Sequence, residues 1–359
     1  NWLFVDGEKS LYINPAGLVS SDLTWEKAST FNIGLDFTML NQRLDFSFDW
    51  YQRTTSDMLV KVEYPEVLGT TAPPANKAEL RTRGWEVSVK WNDRIGNDFS
   101  YDLGFILSDS QAEITKYENP SGTLSDYYVG QKIGEIWGYE TEGFYQSDTD
   151  VQNHADQSKL GANWAPGDIM YKDLDGNKKI NNGSNTLDDH GDLKVIGNTT
   201  PRYQYGITAN MSYKNVYLNV FFQGIGKRDF WPSSQPFWPV ATQYYNTQKW
   251  FVTDSWSEDN RDAYFARPIA RETKNQQKQT KYLQDASYCR LKNLTVGYDF
   301  PKSWLSFLHV AKAGVYFSAE NLFEFTNVKG AYDPEAAGKN GTMVYPFQRT
   351  YSFGLNVTF

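Results

Sequence analysis

The final ten residues constrain the fold more than any other stretch of the chain. From Thr350 to Phe359 the odd positions are apolar or aromatic, and the even positions are small or polar. A period of two is the pattern of a β-strand with one apolar and one polar face. Roughly ten such residues cross the hydrocarbon layer of a membrane, and a terminal aromatic residue suits its interface. The stretch therefore predicts a strand of a transmembrane antiparallel β-barrel.

The same alternation recurs in pairs along the chain. It predicts nine strands, at residues 31–39, 44–50, 85–91, 99–105, 203–213, 216–224, 289–299, 311–320 and 350–359. One strand breaks the pattern, because Arg290 and Lys292 share the parity of the apolar Leu294. That strand is predicted either to contain a bulge or to have its first half above the lipid.

The connections between the strands alternate between short and long. Short turns are predicted near Gln42, Gly96, Asn215 and Ser303. The long connections are residues 54–80, 116–200, 225–286 and 321–346. Outer-membrane barrels have short periplasmic turns and long extracellular loops, so we expect the long connections to lie outside the cell. Because these barrels usually have an even number of strands, residues 1–359 are expected to be the C-terminal part of one barrel domain, with further strands upstream.

Composition excludes several other classes of protein. Aromatic residues make up 16% of the 359 residues, yet the mean hydropathy is -0.61 and no stretch is long and apolar enough for a membrane-spanning helix. The only cysteine is Cys289, so no intrachain disulfide can form, and a net charge of -8 argues against a nucleic-acid partner. The first residues lack a signal-peptide pattern, which fits either a processed chain or an internal piece. No catalytic motif is present, so the chain is not expected to be an enzyme.

Several phrases, in collinear order, resemble one family. They are LTWEKASTFNIGLDF (23–37), RGWEVSVKW (83–91), VGQKIGEIWGYETEGFY (129–145), APGDIMYKDLDGNKKI (165–180), IGNTTPRYQYGI (196–207), FFQG (221–224), SYCRLKNLTVGYDFP (287–301), AENLF (319–323), DPE (333–335) and the terminal FGLNVTF. Together they resemble the C-terminal barrel portion of SusC/RagA-type TonB-dependent outer-membrane transporters of Bacteroidetes. The resemblance implies a 22-stranded barrel that imports oligosaccharides or peptides with a SusD-like surface lipoprotein. It also implies that an N-terminal plug, through which TonB acts, belongs to the rest of the transporter.

One segment has the spacing of a calcium-binding loop. Oxygen donors stand at Asp173, Asp175 and Asn177, and the Lys179 carbonyl occupies the seventh position of an EF-hand-type loop. The sixth position is Lys178, where glycine is usual, because the backbone there turns left-handed. In the family, an acidic residue precedes the next strand, and Asp192 matches it, although Asp188 or Asp189 could substitute. The alternative is an Asx-rich turn without a metal.

Two further residue sets are candidates for function. Aromatic residues in the long connections could contact a partner or substrate, or could pack loop against loop. They are Trp137, Tyr139, Trp164, Trp231, Phe237, Trp238, Tyr244 and Tyr245. Polar residues that alternate with apolar ones would line the lumen. They are Asp36, Asp45, Asp49, Glu86, Lys90, Asp102, Asn210, Asn219 and Gln223.

The sequence thus predicts part of a nutrient importer in the outer membrane. Two alternatives remain open from the residues alone. One is a complete passive porin, which needs no partner. The other is a soluble β-rich carbohydrate-binding module, whose alternating aromatic residues would pack inside a core.

Overall fold

Nine antiparallel strands form one open sheet, and each strand pairs with the next along the chain. The computed structural model describes residues 2–5, 8–11, 23–61, 73–235, 237–240, 247–306, 309–330, 332–337 and 347–359. The sheet strands are β1 (Lys27–Met39), β2 (Leu44–Val60), β3 (Ala75–Ile95), β4 (Phe99–Lys116), β5 (Arg202–Tyr213), β6 (Val216–Lys227), β7 (Tyr288–Asp299), β8 (Lys312–Thr326) and β9 (Thr350–Thr358). The sheet is not closed, and it covers part of a barrel. The predicted nine strands and their all-antiparallel order are confirmed.

Several strands are longer than the sequence predicts. β2 and β3 have 17 and 21 residues, about twice what a membrane crossing requires. Their upper parts pair with each other, with Thr54 opposite Arg81 and Thr55 opposite Leu80, and the pairing is irregular around Asp57. The expectation that residues 54–80 form a loop is therefore wrong for both of its ends. These strand ends could not be recognised from the sequence, because a strand beyond the lipid needs no apolar face and therefore shows no apolar alternation.

The cross-strand pairing gives the sheet one apolar and one polar face. Residues directly opposite each other in a ladder point to the same side of a sheet. The odd positions of β9 form part of the apolar face and are exposed, with Phe353 at 84% and Leu355 at 65%. Ile33 and Leu35 in β1 are also exposed. The soluble-module alternative requires such residues to pack in a core, so that alternative is wrong.

A bulge interrupts β7 at the predicted irregularity. The pairing with β6 places Asn293 opposite Phe221 and Leu291 opposite Phe222, which leaves Lys292 as the extra residue. The bulge resets the parity, so that Arg290 lies opposite Gln223 on the polar face. Of the two predicted alternatives, the bulge is confirmed.

Two of the long connections fold together on one rim of the sheet, and we call their described residues, 117–201, 228–235, 237–240 and 247–287, the cap. Its short strands pair as Glu135–Tyr139 with Leu193–Asn198, Thr141–Phe144 with Ile169–Tyr171, and Asp229–Phe230 with Gln284–Asp285. Its helices are Asp148–Asn153, Lys249–Thr253 and the 3-10 turn Lys274–Gln276. Outside the cap lie the strand pair Trp2–Val5 and Glu8–Leu11, the helix Lys302–Leu305 and the 3-10 turn Pro334–Ala336. No helix in the described ranges is long and apolar enough to cross a membrane.

Both cap connections contribute to one hydrophobic core. The first supplies Tyr139, Phe144, Ile169, Tyr171 and Ile180, all buried. The second supplies a larger set of buried residues, namely Phe237, Trp238, Phe251, Trp256, Ala263, Phe265, Ala266 and Tyr282. The two connections therefore fold as one unit, and neither can be removed without exposing the apolar side chains of the other.

Candidate functional site

The polar face of the sheet carries all nine residues that were predicted to line the lumen. The pairing links Asp45 with Lys90, and Asp49 with Glu86. It also links Asp102 with Asn210 and Asn210 with Asn219, and it places Gln223 opposite Gly206. Asp36 lies opposite Ser47, which shares the parity of Asp45 and Asp49. This face, which we call the inner wall, is therefore polar across β1 to β6, as a water-filled passage requires.

Hydrogen bonds join part of the inner wall into a continuous polar row. Asn219 Nδ2 donates to Asn210 Oδ1 at 2.9 Å, and Asn210 Nδ2 donates to Asp102 Oδ1 at 3.3 Å. Lys90 Nζ lies 3.3 Å from Asp102 Oδ2. Because neighbouring side chains fix one another, the row presents ordered donors and acceptors on the polar face of the sheet.

The predicted calcium-binding segment brings its acidic residues together. Carboxylate oxygens of Asp173, Asp175 and Asp192 lie within 4.8 Å of one another. Two oxygens that share a calcium ion at about 2.3–2.6 Å can be at most about 5 Å apart, so this spacing fits one ion. Asn177 Oδ1 accepts from Lys179 N at 2.7 Å, and the Lys179 carbonyl accepts from Asn181 Nδ2 at 3.3 Å. The donor set consists of hard oxygen ligands.

Asp192 lies beyond this segment in the sequence but contacts both of its ends. It is fully buried, and its two oxygens accept from Leu174 N at 2.7 Å and from Asn181 N at 2.9 Å. Asp189, considered above as a substitute, instead accepts from Ser184 N at 2.9 Å and from its hydroxyl, which lowers the pKa of Asp189. The residue at the sixth position, Lys178, adopts the left-handed conformation with φ of 61°, so the turn forms without glycine.

The aromatic residues of the cap are mostly interior. Tyr139, Phe237 and Trp238 are buried in the cap core, whereas Trp164 and Trp231 pack partly buried against it. Of the two alternatives left open by the sequence, packing of loop against loop applies to the three buried rings, because each fills the core that the two connections share. Trp137 is half-buried, and its indole N–H donates to Tyr128 Oη at 3.1 Å. Tyr244 and Tyr245 lie outside the described residues.

A buried ionic cluster, not predicted from the sequence, joins the two cap connections. Asp168 is fully buried and accepts from Arg267 Nε at 2.9 Å and Arg267 Nη2 at 2.8 Å. Asn275 Nδ2 donates to it at 2.9 Å, and Lys274 Nζ lies 2.9 Å from Oδ2. Burial raises the pKa of Asp168, but hydrogen bonds from Arg267, Asn275 and Lys274 outweigh burial and hold its pKa below the usual value. The phrase APGDIMY marks this residue in the sequence, but its partners lie about a hundred residues away.

A close backbone approach reinforces this junction. Tyr139 N donates to the Lys278 carbonyl at 2.8 Å, and Thr280 N donates to the Tyr139 carbonyl at 3.1 Å. Gly138 lies beside them, and a Cβ there would be 2.5 Å from the Lys278 carbonyl oxygen. Any larger residue at position 138 would force the two connections apart.

Comparison with known proteins decides the family. Residues 6–322 match the family described as TonB dependent receptor-like, beta-barrel. The chain belongs to this family of outer-membrane proteins. It is 30% identical to TonB-dependent receptor P3 of Formosa agariphila over 366 residues, which cover 95% of this chain and 35% of that receptor. It is 27% identical to TonB-dependent receptor SusC of Bacteroides thetaiotaomicron, over 95% of this chain and 32% of SusC.

Solved structures agree with this assignment. The RagAB peptide transporter matches with a TM-score of 0.73 and 25% identity, over all of this chain and 38% of the matched chain. The RagAB peptide importer in its open-open state matches with a TM-score of 0.74. This member of the TonB-dependent receptor family thus spans about a third of the length of the relatives it matches. The predicted resemblance and the outer-membrane location are confirmed.

Proposed function

We propose that this chain forms the C-terminal barrel wall and the cap of a TonB-dependent importer that moves oligosaccharides or peptides across the outer membrane. The rest of the transporter would supply the remaining strands and the plug through which TonB acts. A SusD-like surface lipoprotein would dock on the cap side. The observation that carries the proposal is the combination of a polar inner wall with a folded cap on one rim. Transport, rather than catalysis, is the activity that this arrangement suits.

The passive-porin alternative accounts less well for the cap. A porin needs a polar passage, but nothing in passive diffusion calls for long connections that share an aromatic core. Loops this long in a compact protein are usually functional. Family membership also favours energised import, in which a substrate is first captured on the outside. β2 and β3 extend beyond the length of a membrane crossing, so they would place the extracellular surface of the protein well above the lipid.

Deletion of residues 231–250 from the full-length transporter is expected to abolish or strongly weaken lipoprotein capture and uptake. The deletion removes Phe237 and Trp238 from the cap core but no hydrogen bond of the nine-stranded sheet. Barrel assembly should therefore persist. Co-purification of the lipoprotein and growth on glycans or on peptides as sole nutrient measure the two effects, and the two growth media distinguish the substrate classes.

A matched control removes an aromatic side chain at the opposite rim. Trp304→Ala truncates a residue that is 62% exposed on the short-turn side, and it should leave both capture and growth unchanged. Unchanged capture and unchanged growth in the deletion variant would show that the cap takes no part in either step.

We further propose that Asp173, Asp175, Asn177, the Lys179 carbonyl and Asp192 hold a calcium ion. The convergence of three carboxylates and the left-handed backbone at Lys178 support this assignment. When bound, the ion would offset two of the three negative charges of the carboxylates and tie the segment at 173–181 to Asp192. Because Asp192 already bonds the backbone at both ends of that segment, the fold of the segment is prepared for the ion.

Removal of calcium is expected to lower the melting temperature of the cap, and Asp175→Asn should reduce that shift. Asp175 is exposed, and its hydrogen bonds within the described ranges are to Asn177 of the same segment, so its replacement should weaken calcium binding more than it destabilises the fold. Calorimetric titration with calcium measures the affinity directly. Asp188→Asn is the matched control, because Asp188 is exposed and lies outside the carboxylate cluster. Absence of calcium binding to the native protein would leave only an Asx-rich turn.

A further inference from the structure

Arg290 and Lys292 hold a short segment of the last long connection against the inner wall. Arg290 is 1% exposed, and it donates from Nη1 to Glu335 Oε1 at 2.6 Å and from Nη2 to Asp333 Oδ2 at 2.7 Å. Lys292 Nζ donates to both Glu335 oxygens, at 3.1 and 3.2 Å. A buried guanidinium is stable only with partners of this kind, so these bonds fix the position of the segment.

The bulge in β7 explains why both cations reach the same segment. In a regular strand, the residue between two inward positions would point to the lipid, but Lys292 is the extra residue of the bulge. Phe347 adds a ring beside the pair, with the Arg290 guanidinium 5.0 Å and the Lys292 ammonium 5.2 Å from its centroid. The bulge therefore places both cations against the same segment, and we call the pair Arg290 and Lys292 the clamp.

The segment itself is ordered by its own contacts. Asp333 Oδ1 accepts from Glu335 N at 2.9 Å, while the other oxygen of Asp333 faces Arg290. Pro334 begins the 3-10 turn Pro334–Ala336 and is buried. The two carboxylates are therefore presented in a fixed geometry, which lowers the entropy lost when they bind the clamp.

Other residues of the same segment contact the cap. Tyr332 hydrogen-bonds through its hydroxyl to Ser234, and its ring lies 5.3 Å from that of Phe230 and 6.2 Å from that of Phe237. Ala337 is buried with Phe230 in a small cluster that also contains Ala286. Residues 332–337, which we call the strut, therefore contact the wall through Asp333 and Glu335 and the cap through Tyr332 and Ala337.

We infer that the strut sets the position of the cap over the inner wall and that Arg290 is its positioning residue. The cap is also connected to the wall by the chain itself, at the ends of β4, β5, β6 and β7. Backbone hydrogen bonds also join the cap to the end of β4, where Ile114 N donates to the Gln131 carbonyl at 2.9 Å and Ile133 N donates to the Ala112 carbonyl at 2.9 Å. The strut adds a separate contact, from the inward face of β7. With Arg290 replaced, the cap can still fold on its own core and keep its bonds to β4, but it loses the contact that holds it against β7, so its orientation over the inner wall varies more.

The test measures a distance rather than uptake, so it is independent of the proposed transport. Spin labels are placed at Val252 in the cap and at Tyr213 on the short-turn rim of the full-length transporter, with Cys289→Ser to remove the native thiol. Arg290→Gln should broaden the narrow distance distribution of the parent. Lys312→Gln is the control, because Lys312 pairs with Asp299 at 3.4 Å at the short-turn end of β8 and its side chain is 67% exposed. An unbroadened distribution in Arg290→Gln would overturn the inference.

Local proteolysis provides a second measurement on the same proteins. Cleavage within 328–337 should accelerate roughly a hundredfold in Arg290→Gln, the scale expected when a buried ion pair is broken. Arg290→Lys should restore part of the protection, and Glu335→Gln combined with Arg290→Gln should cost little more than Arg290→Gln alone. Equal protection in parent and variant would contradict the clamp.

Two variants outside the sheet keep the test decisive if Arg290→Gln does not assemble, as judged by heat-modifiable gel migration. Glu335→Gln removes one partner of the clamp, and Tyr332→Ala removes the contact with the cap. Each should broaden the same label distance, because the strut needs its contact with the wall and its contact with the cap. A parent-like distance in both variants would overturn the inference.

Discussion

Replacing Asp168 by alanine is expected to unfold the cap while the nine-stranded wall stays assembled. The substitution leaves Lys274, which is 2% exposed, without its carboxylate and removes the bidentate partner of Arg267. Breaking a buried ion pair from one side costs about 3–5 kcal/mol, a large part of the stability of a unit of this size. Limited proteolysis of the cap, with gel migration of the folded barrel as the internal reference, measures the effect.

The same residue predicts the direction of the acid response. The pKa of Asp168 is lower in the folded cap than in the unfolded chain, where it is about 3.9. Its contribution is therefore complete above the unfolded pKa and is lost as pH falls through the folded pKa. Cap protection in the parent should decline below about pH 4, and Asp168→Asn should flatten that decline. Asp259→Asn, an exposed acidic residue of the cap, should keep the parent profile.

Replacing Phe237 by alanine is expected to have the next largest effect. Its ring is 1% exposed, and it lies at the centre of an aromatic cluster formed by Trp238, Trp250, Tyr264, Phe265, Tyr282 and Tyr332. Large-to-small changes of this kind cost about 3–5 kcal/mol, because the cavity only partly collapses. Phe237→Leu should recover most of the loss, since it retains much of the volume.

The measurement for Phe237 is the melting temperature of the cap followed by tryptophan fluorescence. Val252→Ala is the control, because Val252 is 67% exposed in the same connection and should change stability by less than about 0.5 kcal/mol. A variant Phe237→Ala as stable as the control would mean that the two cap connections do not depend on a common core.

The sequence predicted the wall better than the cap, for physical reasons. A membrane strand must expose an apolar face to lipid, so β9 and β1 display period-two alternation that needs no tertiary information. The upper parts of β2 and β3 have no such requirement, and their strand character was missed. The parity break at Arg290 correctly indicated a bulge, but its function depends on Asp333 and Glu335, more than forty residues away.

In the candidate site, too, features set by local spacing were predicted and features set by long-range contacts were not. Asp173 and Asp175 are close in sequence, so local spacing was enough to predict that their carboxylates lie together. Asp168 and Arg267 are 99 residues apart, and no local pattern links them. The aromatic residues of the cap were visible as a group, but composition alone could not separate the buried Phe237 from an exposed ring. Long-range packing decided that question.

Cysteine labelling of intact cells is the most direct test of the central claim that the cap lies outside and the short turns lie in the periplasm. In a Cys289→Ser background, a membrane-impermeant maleimide is applied to Val252→Cys in the cap and to Lys214→Cys in the turn between β5 and β6. The account predicts labelling of Val252→Cys only, and labelling of both after the cells are permeabilised. Labelling of Lys214→Cys but not Val252→Cys in intact cells would contradict it.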